Sequence, residues 1–537
     1  MQLVNKSSST LRSPKMAACR AAFAARRSTS RVGYHRSAPV RALLEDVVTY
    51  SEDLKTEALA NLSATTQTMP PSQTPGAADR QRFRLHWSVD MWRDFNPRNW
   101  LDAIDNEAAP VSERLRAFAD TVANAVSTSG VFSSTQAAQY WAYHVARSSF
   151  FAAQAIAGLA VARATAGRDL SPDSALTRFE QIARNGWQGP LAEAFLAYYQ
   201  DYESIKEGKY GMPWDGVSLT HRQFNPLYIA RRAIAFVSEA SDTLRRRDRG
   251  TPDEVWIKSA FLPDYYQSTF HYQSDGWMST RSADVYETST EVLFVGRQDS
   301  MQRSTLVPMS EFMAGKDASQ IKALEIAAGT GRFATFVKDN YPLMDLTVSD
   351  LSPYYLQAAR NNMKYWKRQR ASELTLSGVD GNGTSFMQGA AEALPVVDAS
   401  FDLVYSVYLF HELPEDIRRK AVKEMARVVK PGGMVILTDS VQLGDRPAYD
   451  ATLGGFGKFN EPYYENYLTT DLGAIFEEAG LECDMKVMSS TTKSLSFKKP
   501  LEIPLDAASK TEAEEMKGEE GVVITVESAK EGDPMMN

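Results

Sequence analysis

The tightest constraint on this chain lies between residues 323 and 351. Residues 323–328 form a short apolar run, followed by Gly329-Thr330-Gly331, a short amphipathic stretch at 333–340 and a second apolar run at 346–351 that contains Asp350. This order predicts strand, tight turn, helix, strand. Such a unit closes as two parallel strands joined by a right-handed crossover. The two glycines let the backbone approach a ligand at the carboxyl edge of the sheet, where open α/β sheets bind their ligands.

The alternation continues downstream. Residues 353–366 predict a helix with Ser352 as N-cap and Pro353 at its first position. Strands are expected at 385–388, 401–408 and 434–438, a helix at 415–429, and a turn at Pro431-Gly432-Gly433. A helix at 471–479 ends at Gly480, and 481–488 and 494–498 follow with no helix between them. That closing pair predicts a hairpin with an antiparallel edge strand. The expected fold is α/β, a doubly wound sheet covered by helices on both faces.

Upstream, residues 87–264 read as helical, with apolar periodicity at 137–166, 191–205 and 227–244. The longest uncharged run, between Arg147 and Arg163, has 15 residues, too few for a spanning helix, which needs about 20. Residues 63–79 hold Pro70, Pro71, Pro75 and Gly76 among Ser, Thr and Gln and read as a linker. Residues 1–44 contain nine Lys and Arg, many serines and no acid. That is the composition of an organelle transit peptide, of plastid type, with mitochondrion as the alternative; a basic disordered tail is the other reading. The last 37 residues hold ten acids and three lysines and read as a solvated tail. The expected divisions are therefore 1–44 transit peptide, 45–84 largely disordered linker, 85–264 helical domain, 265–320 cap helices, 321–500 ligand-binding domain and 501–537 acidic tail.

Charge and cysteine content exclude several functions. The net charge is −8, and removing the nine N-terminal cations leaves −17. A chain this acidic has no electrostatic footprint for nucleic acid, and it lacks an Asn/Asp-Pro-Pro-Tyr motif. Cys19 and Cys483 cannot make a disulfide framework or a cysteine zinc site. The six histidines are scattered, so no metal is expected.

The glycine turn also fits a dinucleotide fingerprint, Gly329-x-Gly331-x-x-Ala334, with Asp350 19 residues after Gly331. A carboxylate at the end of the second strand can accept both ribose hydroxyls of an adenosine cofactor. At this point NAD(P) and S-adenosylmethionine are both open. Glu325 separates them, because a carboxylate there can meet the ammonium of a methionine moiety, which NAD lacks.

Further fragments complete a pattern: Ala390-Ala391-Glu392-Ala393-Leu394-Pro395, Phe401-Asp402-Leu403-Val404 and Lys430-Pro431-Gly432-Gly433. With the glycine turn, the set over 321–440 resembles a class I S-adenosylmethionine-dependent methyltransferase of the type-11, quinone-methyltransferase-like group. Phe270-His271-Tyr272-Gln273, the 282–287 segment, Phe410-His411-Glu412-Leu413-Pro414 and the 459–464 segment resemble cyanobacterial and plastid members. The resemblance implies a Rossmann-like, seven-stranded sheet with an antiparallel last strand, preceded by a mostly helical N-terminal domain. It implies S-adenosylmethionine as cofactor, S-adenosylhomocysteine as product, and a small-molecule or lipid-like methyl acceptor in an organelle.

By the same resemblance, Glu325, Ala327, Gly329 and Gly331 would hold the methionine end and Asp350 the ribose. Leu351 would lie against the adenine, the Ala391-Glu392 backbone would meet its edge, Ser406 would sit near the sulfonium, and Tyr286 would close over the cofactor. His411 and Glu412 are candidate bases. His271, Tyr272, Phe410, Glu461, Tyr463 and Tyr464 are candidate acceptor contacts. Two positions depart from the family: Ala327 replaces a frequent glycine, and Ala390 replaces an Asp that reads the adenine amino group. The alternatives are a S-adenosylmethionine-binding assembly or regulatory protein without turnover, and an NAD(P)-dependent oxidoreductase.

Overall fold

The computed structural model describes residues 69–96, 133–166, 188–216, 221–225, 227–228, 230–235, 258–268, 273, 275–376, 383–453 and 461–501. The expected transit peptide, His271, Tyr272 and nearly all of the acidic tail lie outside these residues.

Eight strands form one sheet: β1 (Arg84–Leu85), β2 (Lys322–Ile326), β3 (Asp345–Asp350), β4 (Thr384–Gln388), β5 (Phe401–Val407), β6 (Val429–Ser440), β7 (Glu482–Ser489) and β8 (Thr492–Lys498). Their order is β1-β7-β8-β6-β5-β2-β3-β4. β2 lies parallel between β3 and β5, in register Ala323↔Leu346 and Ile326↔Ser406. β8 is antiparallel to both neighbours, β6 and β7. The antiparallel strand therefore sits inside the sheet, not at its edge as the hairpin alone suggested. The sheet also has one more strand than expected, the two-residue β1, which pairs parallel with β7.

Strand alternation splits the core between the two faces. Ala323, Leu403 and Tyr405 face one cluster; Leu324, Ile326 and Val404 face the other. The first cluster is covered by α4 (Gln188–Lys206), α7 (Leu306–Met313), α8 (Arg332–Asn340) and α9 (Pro353–Gln369). The second is covered by α2 (Trp87–Asp94), α10 (Glu415–Val428) and α11 (Leu472–Glu478). Helix α9 begins as the sequence dictates: Ser352 Oγ accepts from Tyr355 N–H at 3.2 Å, and proline occupies the first turn.

One expectation about organisation is corrected. The end of the supposed linker is ordered: Thr74 caps α1 (Pro75–Arg82) by accepting from Ala77 N–H. Gly76 packs so closely that a Cβ would lie 2.3 Å from the Gly444 backbone. Proline, glycine and threonine serve here as helix-start residues, the same composition that marks a loop. The sequence left open whether the helical region stands apart; where it is described it packs on the sheet. α4 shares the sheet's core, and Gln200 Nε2 donates to Met488 O of β7 at 2.6 Å. α3 (Thr135–Ala166) joins it through Tyr140, which donates to Asp201 of α4. Among the described residues no helix is long and apolar enough to cross a membrane.

Candidate functional site

A cavity opens at the carboxyl ends of β2, β3 and β5. From β2 and its turn come Glu325, Ala327, Gly329 and Thr330; from the end of β3, Asp350 and Leu351; after β4, Gly389 and Ala391; from the end of β5, Val407, Tyr408 and Leu409. Tyr265, Tyr266, Trp277 and Tyr286 close it from the preceding segment, and Glu412 and Tyr463 complete the rim. Tyr286 belongs to α5 (Thr280–Leu293). Trp277, Tyr286 and Tyr355 form an edge-on aromatic cluster with centroids 5.1–5.8 Å apart. Ser352 Oγ donates to Trp277 O at 2.6 Å and ties this cover to the sheet.

Asp350 organises the floor. Its two oxygens accept from Gly329 N–H and Ser352 N–H, each at 2.8 Å. Burial pushes its carboxyl up to about 6, against the pull of these backbone donors. Glu325 is buried and accepts from Tyr405 O–H at 3.2 Å. Burial raises it to about 8, with the nearby Asp350 charge adding to the shift. Two carboxyl groups that are costly to ionise thus line the cavity together with aromatic rings. A cofactor with an ammonium, ribose hydroxyls and a flat ring matches that lining. The backbone is strained at the rim: Ala327 (φ 53°) and Tyr408 (φ 58°) both lie in the left-handed region. Non-glycine residues occupy that region at a cost of about 1–2 kcal/mol. Ala327 therefore occupies a position where glycine would be free of strain.

Several expected site residues take other roles. Gly331 does not line the cavity; a Cβ there would lie 2.8 Å from Ala359 Cβ, so it lets α8 and α9 approach. Ser406 is buried, and its hydroxyl donates to Ile326 O at 3.0 Å, between β5 and β2. Phe410 is fully buried and stacks on Phe476. Tyr464 is buried, with its hydroxyl 3.0 Å from Ser440 Oγ. Glu392 is bound by Tyr265 O–H at 2.8 Å. Sequence reasoning missed Tyr265, Tyr266, Trp277 and Tyr408, whose only signal was aromatic character before and after the strands.

His411 is also recast. Its Nδ1 lies 2.5 Å from Asp439 and its Nε2 3.0 Å from Glu412. Burial alone would lower its pKa, but the two carboxylates hold it well above the usual histidine value. Both ring nitrogens face carboxylates, which favours the protonated ring, and a protonated ring has no lone pair with which to act as a base. We expect ring-nitrogen NMR shifts of His411 to stay in the protonated pattern from about pH 6 to 8. Because the folded pKa is raised, its stabilisation is complete below the unfolded value and is lost as pH rises through the folded one. A His411 that titrates near 6.5 in the folded chain would contradict this pairing.

Among the described residues, ligand atoms of His411, Glu412 and Glu461 lie within 4.8 Å of one another. This grouping was not foreseen when no metal was expected. Glu461 does not line the cavity directly.

The strand order separates the cofactor alternatives further. A dinucleotide-binding sheet runs 3-2-1-4-5-6, all parallel; here an antiparallel strand is inserted between the last two. Residues 324–437 match a family described as "Methyltransferase domain". The chain is 33% identical over 118 residues to a demethylmenaquinone methyltransferase of Deinococcus radiodurans, covering 22% of this chain and 42% of that protein. It is 28% identical over 218 residues to the Bacillus mycoides protein of the same name, covering 37% and 84%. An uncharacterized methyltransferase of Synechocystis is 29% identical over 96 residues, covering 18% and 45%. The match thus spans under half the length of the first and third of these relatives. Residues 324–437 of this chain thus match a methyltransferase domain, and the relatives that share this region are named methyltransferases.

Proposed function

We propose that the chain transfers the methyl group of S-adenosylmethionine to a small-molecule or lipid-like acceptor, releasing S-adenosylhomocysteine, in an organelle and most readily a plastid. The observation that carries the reading is the buried Asp350 carboxylate, which accepts from Gly329 N–H and lines the cavity. The location rests on the acid-free, Arg- and Ser-rich start of the sequence.

Asp350 would accept the ribose hydroxyls, with Leu351 and Ala391 against the adenine. Glu325 would meet the ammonium, and Tyr286 would cover the cofactor. S-adenosylmethionine, when bound, supplies a methyl activated by its sulfonium. The protein's share is to align the acceptor and exclude water, and alignment alone contributes roughly 7–11 kcal/mol. A reading without turnover is favoured by one observation, the pairing of both His411 ring nitrogens with Asp439 and Glu412, which leaves neither free to take a proton from an acceptor. A screen for methylated product separates the two.

Glu325 provides a specific test. With a pKa of about 8 it is mostly protonated at pH 7 in the empty site, and an arriving ammonium favours its ionised form. Calorimetric titration with S-adenosylmethionine at pH 7, in buffers of different ionisation enthalpy, should show close to one proton released. Glu325→Gln should abolish that release. A buffer-independent enthalpy in the unmodified chain would count against Glu325 as the ammonium partner.

A further inference from the structure

A second cavity of about 310 Å³ adjoins the first. The two share Tyr286, Gln302, Thr330 and Arg332 as lining residues. The second is built by α3, the segment 221–223, α5 and α6 (Gln298–Arg303). Nothing in the cofactor reading uses it.

Its lining includes the aromatic rings of Tyr143, Phe150, Phe151 and Tyr228. It also includes Glu291, Gln298 and Gln302, which are only 5%, 5% and 8% exposed. Among the described residues, Glu291 Oε2, Gln298 Oε1 and Gln302 Oε1 have no hydrogen-bond partner. Buried acceptors are normally satisfied, so an exception calls for an explanation. Three on one cavity call for a ligand rich in donors.

The charges narrow the ligand class. The four guanidiniums that line the cavity, Arg147, Arg222, Arg232 and Arg332, pair with five carboxylates: Asp215, Asp284, Glu287, Glu291 and Asp299. His221 adds no charge, since burial pushes its pKa down to about 4. Asp284 does not line the cavity and its side chain is 61% exposed, so the remaining guanidiniums and carboxylates balance, four and four. Burial raises Glu291 to about 7, with Arg147 opposing the shift, and an ammonium beside it would favour its ionised form.

We propose that this second cavity binds an organic amine, its ammonium donating to Glu291, Gln298 and Gln302 and its apolar body lying against Phe150, Phe151 and Tyr228. An ammonium offers three N–H donors and no acceptor, which matches three unpartnered oxygens. The aromatic faces favour a cation and a flat hydrocarbon alike.

The test uses the full chain with no nucleotide present, so its failure leaves the cofactor reading untouched. Phenethylamine and its neutral isostere 2-phenylethanol are titrated side by side by ligand-observed NMR near pH 7.5. The expected result is saturable binding of the amine, with the alcohol at least about tenfold weaker. Glu291→Gln should weaken the amine by about tenfold and leave the alcohol unchanged. Gln298→Met, which leaves the ion pairs intact, keeps the test open if Glu291→Gln fails to fold, and should weaken the amine several-fold. Equal affinities for amine and alcohol, no binding of the amine, or an unchanged amine affinity in folded variants would overturn the proposal.

Discussion

Asp350→Ala is expected to weaken S-adenosylmethionine binding by at least about 100-fold. A hydrogen bond to a charged group contributes about 1.5–3 kcal/mol, and two ribose hydroxyls would be lost as partners, which corresponds to two to four orders of magnitude. Asp350 also accepts from Gly329 and Ser352 N–H. The alanine variant should therefore lose about 2–4 kcal/mol of stability as well, from donors left without an acceptor. Binding must be read by calorimetry well below the variant's own melting temperature. A folded variant with unchanged affinity would remove Asp350 from the cofactor site.

The second large effect is on stability, far from the cavity. Asp79 of α1, Asp445, Lys486 and Lys493 form a buried square, each 3% exposed or less. Lys486 and Lys493 lie 2.7 and 2.9 Å from Asp79, and both also pair with Asp445. Asp79→Ala leaves two buried ammoniums with one carboxylate. Breaking a buried pair from one side costs about 3–5 kcal/mol, so urea denaturation should show a loss in that range. Burial alone would raise the Asp79 pKa, but Lys486 and Lys493 more than offset it and hold it below the usual value. Its contribution is therefore present above the unfolded Asp pKa of about 3.9 and is lost as pH falls through the lower folded value. A change within about 0.5 kcal/mol would mean that α1 does not dock on β7 and β8.

The contrast between these two residues shows what could be read from the chain. Asp350 was legible because its partners are local: strand, glycine turn, helix and strand follow one another, and the alternation fixes which strand end faces the ligand. Ser352 and Pro353 likewise announced the start of α9. Asp79 was not legible, because its partners Lys486 and Lys493 lie 407 and 414 residues away. Thr74, Pro75 and Gly76 spell a loop as readily as a capped helix. β1 has only two residues, too few for any periodicity.

The site divides in the same way. Glu325, Gly329, Asp350 and Leu351 follow from strand ends and were placed at the cavity. Ser406 was misplaced because the alternation of β5 turns its hydroxyl toward Ile326 O, while the left-handed Tyr408 two residues later stands at the rim. His411 looked like a base because Asp439 lies 28 residues on, at the end of β6, and only the pairing of β5 with β6 brings the two together.

The most direct test is a parallel calorimetric titration of the full chain with S-adenosylmethionine, S-adenosylhomocysteine, NAD and NADP. The account predicts saturable binding of the two sulfur nucleosides and none of the nicotinamide dinucleotides. Binding of NAD or NADP in their place, or of none of the four, would contradict it.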